Sequence, residues 1–318
     1  MKTHWSRREF LKTTAAAVAL GAADKALGAA ATSLAKRRLG KTGELVSCIG
    51  FGSGTRFCSI ESEDAAQALL GYTRRPIERL SEKRLGEFAR PRRKEIILAT
   101  KIDPRDHDGA LRSVETSLNF LKTDYVDLIQ IHSLNSSDDL ERTGRLDGVL
   151  AAIEELKRQK VVRFVGIIGH NDGAAMAEAL RRHDFDTVLM ALNAAQSANP
   201  VAQRKMAPIP AFEHSALPVA HQKNMGILSM KVMGQGMLVG SDAGRASAAD
   251  LLQFNLSQPV ASVIIGCEAL APLEQNVQAA MNFTPLNESG KQKLQEKVAP
   301  SRAAWENFLR THEDSAIA

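Results

Sequence analysis

Cysteine is scarce, three in 318 residues, which excludes a disulfide-dense scaffold and any four-cysteine metal cage. Aromatic residues make up only 5%, and tyrosine occurs twice, at Tyr72 and Tyr125. Chemistry that needs a phenol therefore has two candidates. No apolar run reaches the roughly 20 residues that span a bilayer. The alanine-rich stretch at 13–31 is too short, and Asp24 and Lys25 interrupt it. A strong charge of one sign is also missing. The formal charge is +5, but the first 31 residues hold five basic side chains against Glu9 and Asp24, a net of +3, which leaves +2 for the rest. That gives no reason to expect nucleic acid as a partner. The remaining composition, 44% apolar and 24% charged, excludes a disordered, collagenous or coiled-coil chain.

The first 31 residues read as an address. Arg7-Arg8 followed by Phe10-Leu11-Lys12, then the mildly apolar stretch with Ala29 and Ala31 at its end, is similar to a twin-arginine signal with cleavage after Ala31. Export by the twin-arginine machinery to the periplasm is expected, with no stable membrane insertion after cleavage. Residues 32–318 then form the folded unit.

Along that unit, short apolar runs alternate with amphipathic stretches. The runs at 48–52, 95–100, 126–131, 161–168, 187–192, 226–230 and 261–266 read as buried strands. Helical periodicity fills 63–70, 81–89, 110–121, 139–159, 174–182, 246–256 and 270–281. Such alternation means βαβ units and a parallel sheet. Gly50, Gly52 and Gly54 make a weak dinucleotide-loop match, with no further glycine opening a helix. A hairpin around RLGKTG at 38–43 followed by βα units favours a (β/α)8 TIM barrel with an N-terminal hairpin over a doubly wound sheet. The second barrel strand should fall near 71–80. That stretch has Arg74, Arg75 and Pro76 and no apolar alternation, so the strand is expected to be degraded or missing.

Several segments together resemble the aldo-keto reductase family. They are the opening at 38–52, SEKRLG at 81–86, ILATK at 97–101 and LNFLKTDYVDLIQIH at 118–132. Two further segments are 226–231, and 264–266 with Glu274-Gln275-Asn276. The resemblance implies a barrel that reduces a small-molecule carbonyl with hydride from NADP or NAD. It also implies a tetrad of tyrosine, aspartate, lysine and histidine. Lys101 matches the family lysine and His132 the histidine, both at strand ends where barrel active sites form. The aspartate and tyrosine belong to the second strand and its loop, the segment that is not legible here. Tyr72 is the one tyrosine available there, and Tyr125 belongs to the structural block. Without a well-placed phenol, carbonyl reduction should be weak or absent. The alternative is an inactive barrel that binds a nicotinamide cofactor, a ligand or a protein.

For the cofactor, the resemblance points to the loop after the fifth strand, where Ile168 stands in place of a hydrogen-bonding residue. Asn171 or Asn193 would then hold the carboxamide. Lys231, Gly234, Gly236 and Gly266 would lie along the pyrophosphate, with Asn276 on the following helix. No Lys or Arg lies between 267 and 283 to clamp a 2′-phosphate, which leaves NADP against NAD open. His107 and His170 have no partners at ligand spacing, so no metal site is expected. Cys58 and Cys267 follow the first and eighth strands and should lie near one another at the barrel mouth.

Overall fold

The computed structural model describes residues 33–54, 79–134, 136–195 and 211–311, and in it the apolar runs become strands. A hairpin comes first. β1 (Lys36–Arg38) pairs antiparallel with β2 (Leu45–Ser47), placing Arg37 opposite Val46. The turn between them carries Gly43 at φ 79°, a left-handed conformation that glycine adopts without a Cβ clash.

Seven parallel strands follow: β3 (Ile49–Phe51), β4 (Ala99–Ile102), β5 (Val126–Ile131), β6 (Val162–Gly169), β7 (Thr187–Ala191), β8 (Gly226–Met230) and β9 (Ser262–Ile265). Their order is β3-β9-β8-β7-β6-β5-β4. Parallel neighbours require crossovers, and the helices supply them. In chain order these are α1 (Arg79–Ala89), α2 (His107–Leu121), α3 (Ser137–Thr143), α4 (Val149–Arg158), α5 (Gly173–Arg182), α6 (Ala216–Gln222), α7 (Ala248–Leu256) and α8 (Leu270–Met281). Two more, α9 (Glu288–Val298) and α10 (Arg302–Thr311), close the chain. The first strand of the sheet pairs with the last, Ile49 opposite Val263. A doubly wound sheet would hold its first strand centrally. This is an α/β fold of (β/α)8 barrel type with an N-terminal hairpin.

Among the described residues no strand lies between β3 and β4, where the second barrel strand belongs. Most of the expected segment, 71–78, lies outside the described residues. Arg79 and Leu80 open α1 instead. The helix expected at 63–70 also lies outside them.

Two expectations are corrected. Of the run at 95–100 only Ala99 and Thr100 lie in β4, since Glu95 ends a 3-10 turn containing Pro91 (Arg90–Glu95) and the strand runs on to Ile102. Lys101 consequently lies inside the strand. The single helix expected over 139–159 is two, α3 and α4, parted at Gly144 and Gly148, the residues at the C-cap of one and the N-cap of the other.

Strand alternation sends Ala99, Leu128, Ile168, Leu189 and Leu228 inward, and the hairpin closes the barrel's N-terminal end by inserting Leu39 and Val46 among them. Leu39 is fully buried, worth about 1.5–3 kcal/mol relative to exposure. The larger core lies between the sheet and its helices. There α1 crosses α2 at Gly86, where a Cβ would stand 2.3 Å from the Phe120 carbonyl oxygen. Gly86→Ala is expected to cost about 1–3 kcal/mol by overpacking. A lowered urea midpoint with unchanged slope would report it, and an unchanged midpoint would show that the two helices part without cost.

Candidate active site

The side-chain period of two along each strand builds the site. Ala99 faces inward, so Lys101 does too, and one step past β4 the same column reaches Asp103. Leu128 faces inward, and its column continues through Gln130 to His132. On β6 the column runs Ile168 to His170, and on β7 Leu189 to Asn193. Lys101, Asp103, Gln130, His132, His170 and Asn193 therefore stand along the inner wall and C-terminal rim, the face on which barrel enzymes carry out their chemistry.

Register brings two of these together. Lys101 lies opposite Gln130 and Ile102 opposite Ile131. The His132 amide donates to the Ile102 carbonyl at 3.0 Å, so the pairing runs on past the strand. Asp103 then falls beside His132, and its Oδ1 lies 2.7 Å from His132 Nδ1. His132 is buried, while the Asp103 side chain is 57% exposed. The His170 ring stands edge-on to His132, centroids 5.7 Å apart.

A buried arginine braces this pair from behind. Arg105 donates to the Asp103 carbonyl at 2.7 Å and to the His132 carbonyl at 2.6 Å. Asp139, in the first turn of α3, anchors the guanidinium through paired bonds of 2.9 and 2.7 Å. The two backbones that carry Asp103 and His132 are thus pinned to one planar group.

The hydrogen bond from His132 holds the Asp103 carboxyl below its usual range, with the charges of His132, Lys101 and Arg105 acting the same way. A folded-state value below the unfolded one, about 3.9, means that Asp103 stabilises the fold above about pH 4. That contribution is lost as pH falls through the folded value. Asp103→Asn should flatten the acid limb of stability between roughly pH 2 and 5, followed by thermal unfolding. An identical limb in both proteins would contradict the pairing.

The remaining candidates divide. Asn193 is fully buried and ties two rim loops together, its Nδ2 donating to the Lys231 carbonyl at 3.2 Å and its Oδ1 accepting from the Ala195 amide at 3.0 Å. Asn171 lies one step past His170, and its Oδ1 is buried without a hydrogen-bond partner. Lys231 follows β8 at φ 56°, with Nζ 5.7 Å from the Phe308 ring centroid on α10. The amides of Gly234 and Gly236 donate to the Lys231 and Met233 carbonyls. That loop is closed on itself rather than offering those two donors outward. Gly266 is exposed beside Gly52, whose amide donates to the Ile265 carbonyl. Asn276 is buried on α8 and donates to Cys267 Sγ at 3.5 Å. Burial pushes the Cys267 thiol up. Cys58 and Tyr72 lie outside the described residues. Tyr125 is structural: Arg93 lies over its ring at 3.7 Å and donates to its carbonyl. Among the described residues no group of three or more His, Cys, Asp or Glu could hold a metal ion.

Sequence reasoning missed Asp103, Arg105 and Gln130, and weighed His170 only for a metal site, which it rejected. The usable signal was the alternation itself, since Lys101 plus two and His132 minus two share its columns.

A lysine, a carboxylate and a histidine thus stand on the inner C-terminal rim, the end at which TIM-barrel enzymes place their active sites. The chain belongs to the aldo/keto reductase family, whose sequence profile matches residues 64–251. It is 29% identical over 231 residues to the uncharacterized oxidoreductase YqkF of Bacillus subtilis, covering 63% of this chain and 73% of that protein. It is 24% identical over 309 residues to L-galactose dehydrogenase of Arabidopsis thaliana, covering 80% and 91%. The holo form of aldo-keto reductase AKR11C1 from Bacillus halodurans superposes with a TM-score of 0.65 at 23% identity, covering 83% of this chain and 96% of that one, a likeness of fold.

Proposed function

We propose that this protein is an NAD(P)-dependent oxidoreductase that reduces a small-molecule carbonyl slowly, with Lys101 and His132 as its catalytic residues. The convergence of Lys101, Asp103 and His132 on the inner rim carries this reading, together with family membership. A nicotinamide cofactor would supply the hydride. Two buried polar atoms suit a carboxamide: Asn171 Oδ1, just past the end of β6, is an acceptor without a donor, and Gln130 Nε2, on the inner wall, is a donor without an acceptor. Leaving such groups unmet costs about 1–3 kcal/mol each, and a bound amide would meet them. Lys231, the turn at Gly234 and Gly236, Gly266 and Asn276 would line the rest of the cofactor. Lys101 would hold positive charge beside the substrate oxygen, and His132 would orient that oxygen.

Titration with NADH and NADPH, followed by quenching of protein fluorescence and enhancement of nicotinamide emission, tests the binding. Asn171→Leu should weaken it about tenfold, the equivalent of ~1.4 kcal/mol. Oxidation of either cofactor with several aldehydes tests the chemistry. Binding without turnover would instead favour the ligand-binding barrel, the reading supported by the structural engagement of Tyr125. Absence of binding would remove both.

We also propose twin-arginine export, on the strength of Arg7-Arg8 and the residues that follow. The double change Arg7→Lys, Arg8→Lys should retain the protein in the cytoplasm. Equal periplasmic amounts of variant and parent would overturn it. Among the described residues no helix is long and apolar enough to cross a membrane.

A further inference from the structure

The geometry points to Asp103 as a positioning residue that fixes the ring tautomer of His132, making Nε2 the nitrogen through which a proton reaches the bound carbonyl oxygen. The inference deepens the reductase reading and rests on it for its catalytic part. Its structural part stands alone.

Four observations carry it. The 2.7 Å contact joins Asp103 Oδ1 to Nδ1 and not to Nε2. A carboxylate only accepts hydrogen bonds, so Nδ1 carries the hydrogen and the neutral ring has its lone pair on Nε2. The pair is also preset, because Arg105 holds both backbone carbonyls and is itself held by Asp139. Finally, among the described residues, Lys101 and Arg105 lend positive charge to Asp103, and the His170 ring from the end of β6 stands edge-on to His132.

The chemistry follows from this arrangement. A nicotinamide cofactor would supply hydride to a carbonyl carbon, and the C=O π pair would then move to oxygen. That oxygen needs a proton. In its doubly protonated form His132 gives up the proton on Nε2, and the O–H bond forms as the N–H bond breaks. A neutral ring remains, still donating Nδ1–H to Asp103. Imidazole is suited to this because its ordinary titration falls between pH 5 and 8, whereas a phenol or an ammonium titrates near 10. The same division of labour, in which a carboxylate sets the tautomer and the imidazole moves the proton, operates in serine hydrolase triads.

The test is nitrogen-15 NMR of the His132 side chain in the mature protein, assigned by loss of its signals in His132→Gln. The neutral ring of the parent should show the Nδ1–H tautomer. Asp103→Asn places an amide NH₂ against Nδ1 and should convert the ring to Nε2–H, while Asp103→Glu should restore the parental pattern. Unchanged His132 shifts in Asp103→Asn would overturn the inference. So would the Nε2–H tautomer in the parent.

Kinetics give the second readout. Asp103→Asn should lower kcat at least tenfold with cofactor affinity unchanged, and Asp103→Glu should recover most of it. A loss expressed only as weaker cofactor binding would overturn the catalytic part. If the parent itself does not turn over, the reductase reading fails while the tautomer is still decided by the spectra.

Discussion

Replacing Asp127 with alanine should destabilise the protein by about 3–5 kcal/mol, the usual cost of removing one partner from a buried ion pair. The side chain is 3% exposed and has three partners. Oδ2 accepts from Arg93 at 2.9 Å and from the Leu98 amide at 2.7 Å, and Oδ1 accepts from Arg163 at 2.6 Å. Arg163 reaches on to Glu44 beside the hairpin. One carboxylate thus ties together the approach to β4, the start of β5, the start of β6 and the hairpin. Alanine would leave a 12%-exposed Arg93 guanidinium and a buried amide without their acceptor. Asp127→Asn keeps the size but removes the charge, and should cost about 1.5–3 kcal/mol, the worth of a hydrogen bond to a charged group. For a domain of this size alanine should lower Tm by roughly 10 °C. Hydrogen exchange should show β4 opening first, since it pairs with β5 alone in the described sheet. A loss under about 1 kcal/mol would place Asp127 among the weak surface pairs.

Much of the fold was written in local pattern. Val126–Ile131 and Gly226–Met230 coincide with their apolar runs to the residue, because the first is buried throughout and the second everywhere but Met230. Lys101 and His132 were legible because they end such runs. Asp103 was not, because its role depends on the register between β4 and β5 and on a loop held by Arg105, neither of which is a property of one segment. The break between α3 and α4 hid behind a periodicity that continues across it. Helix α9 escaped because its sequence is mostly polar and only Leu294 and Val298 are buried. In the loop after β8, Gly234 and Gly236 use their N–H groups to close the turn, a detail of backbone conformation that their spacing alone does not reveal.

His132→Gln should remove carbonyl reduction by a factor of about 10²–10⁴, the range that general acid catalysis supplies. Lys101→Met should do the same, and Tyr72→Phe should leave the parental rate. Glutamine keeps a donor near the substrate oxygen but has no proton to transfer, so orientation survives and chemistry does not. Methionine retains the length of the lysine stem and removes the charge that stabilises a developing alkoxide. Parental turnover should itself sit well below the typical enzyme value of about 10 s⁻¹. Asp103 lies beside the buried His132, and the 57% exposure of the Asp103 side chain weakens electrostatic terms that a dry site would strengthen. NADH and NADPH oxidation with a panel of aldehydes, by the purified protein and the three variants, measures all of this. The variants should keep parental cofactor affinity, and His132→Gln should lose the part of the stability that its hydrogen bond to Asp103 contributes. Fast turnover that disappears in Tyr72→Phe would assign the proton to that phenol and leave His132 an orienting role. Turnover that survives His132→Gln while Lys101→Met abolishes it would make the lysine the donor, with Asp103 acting on Lys101 rather than on the imidazole.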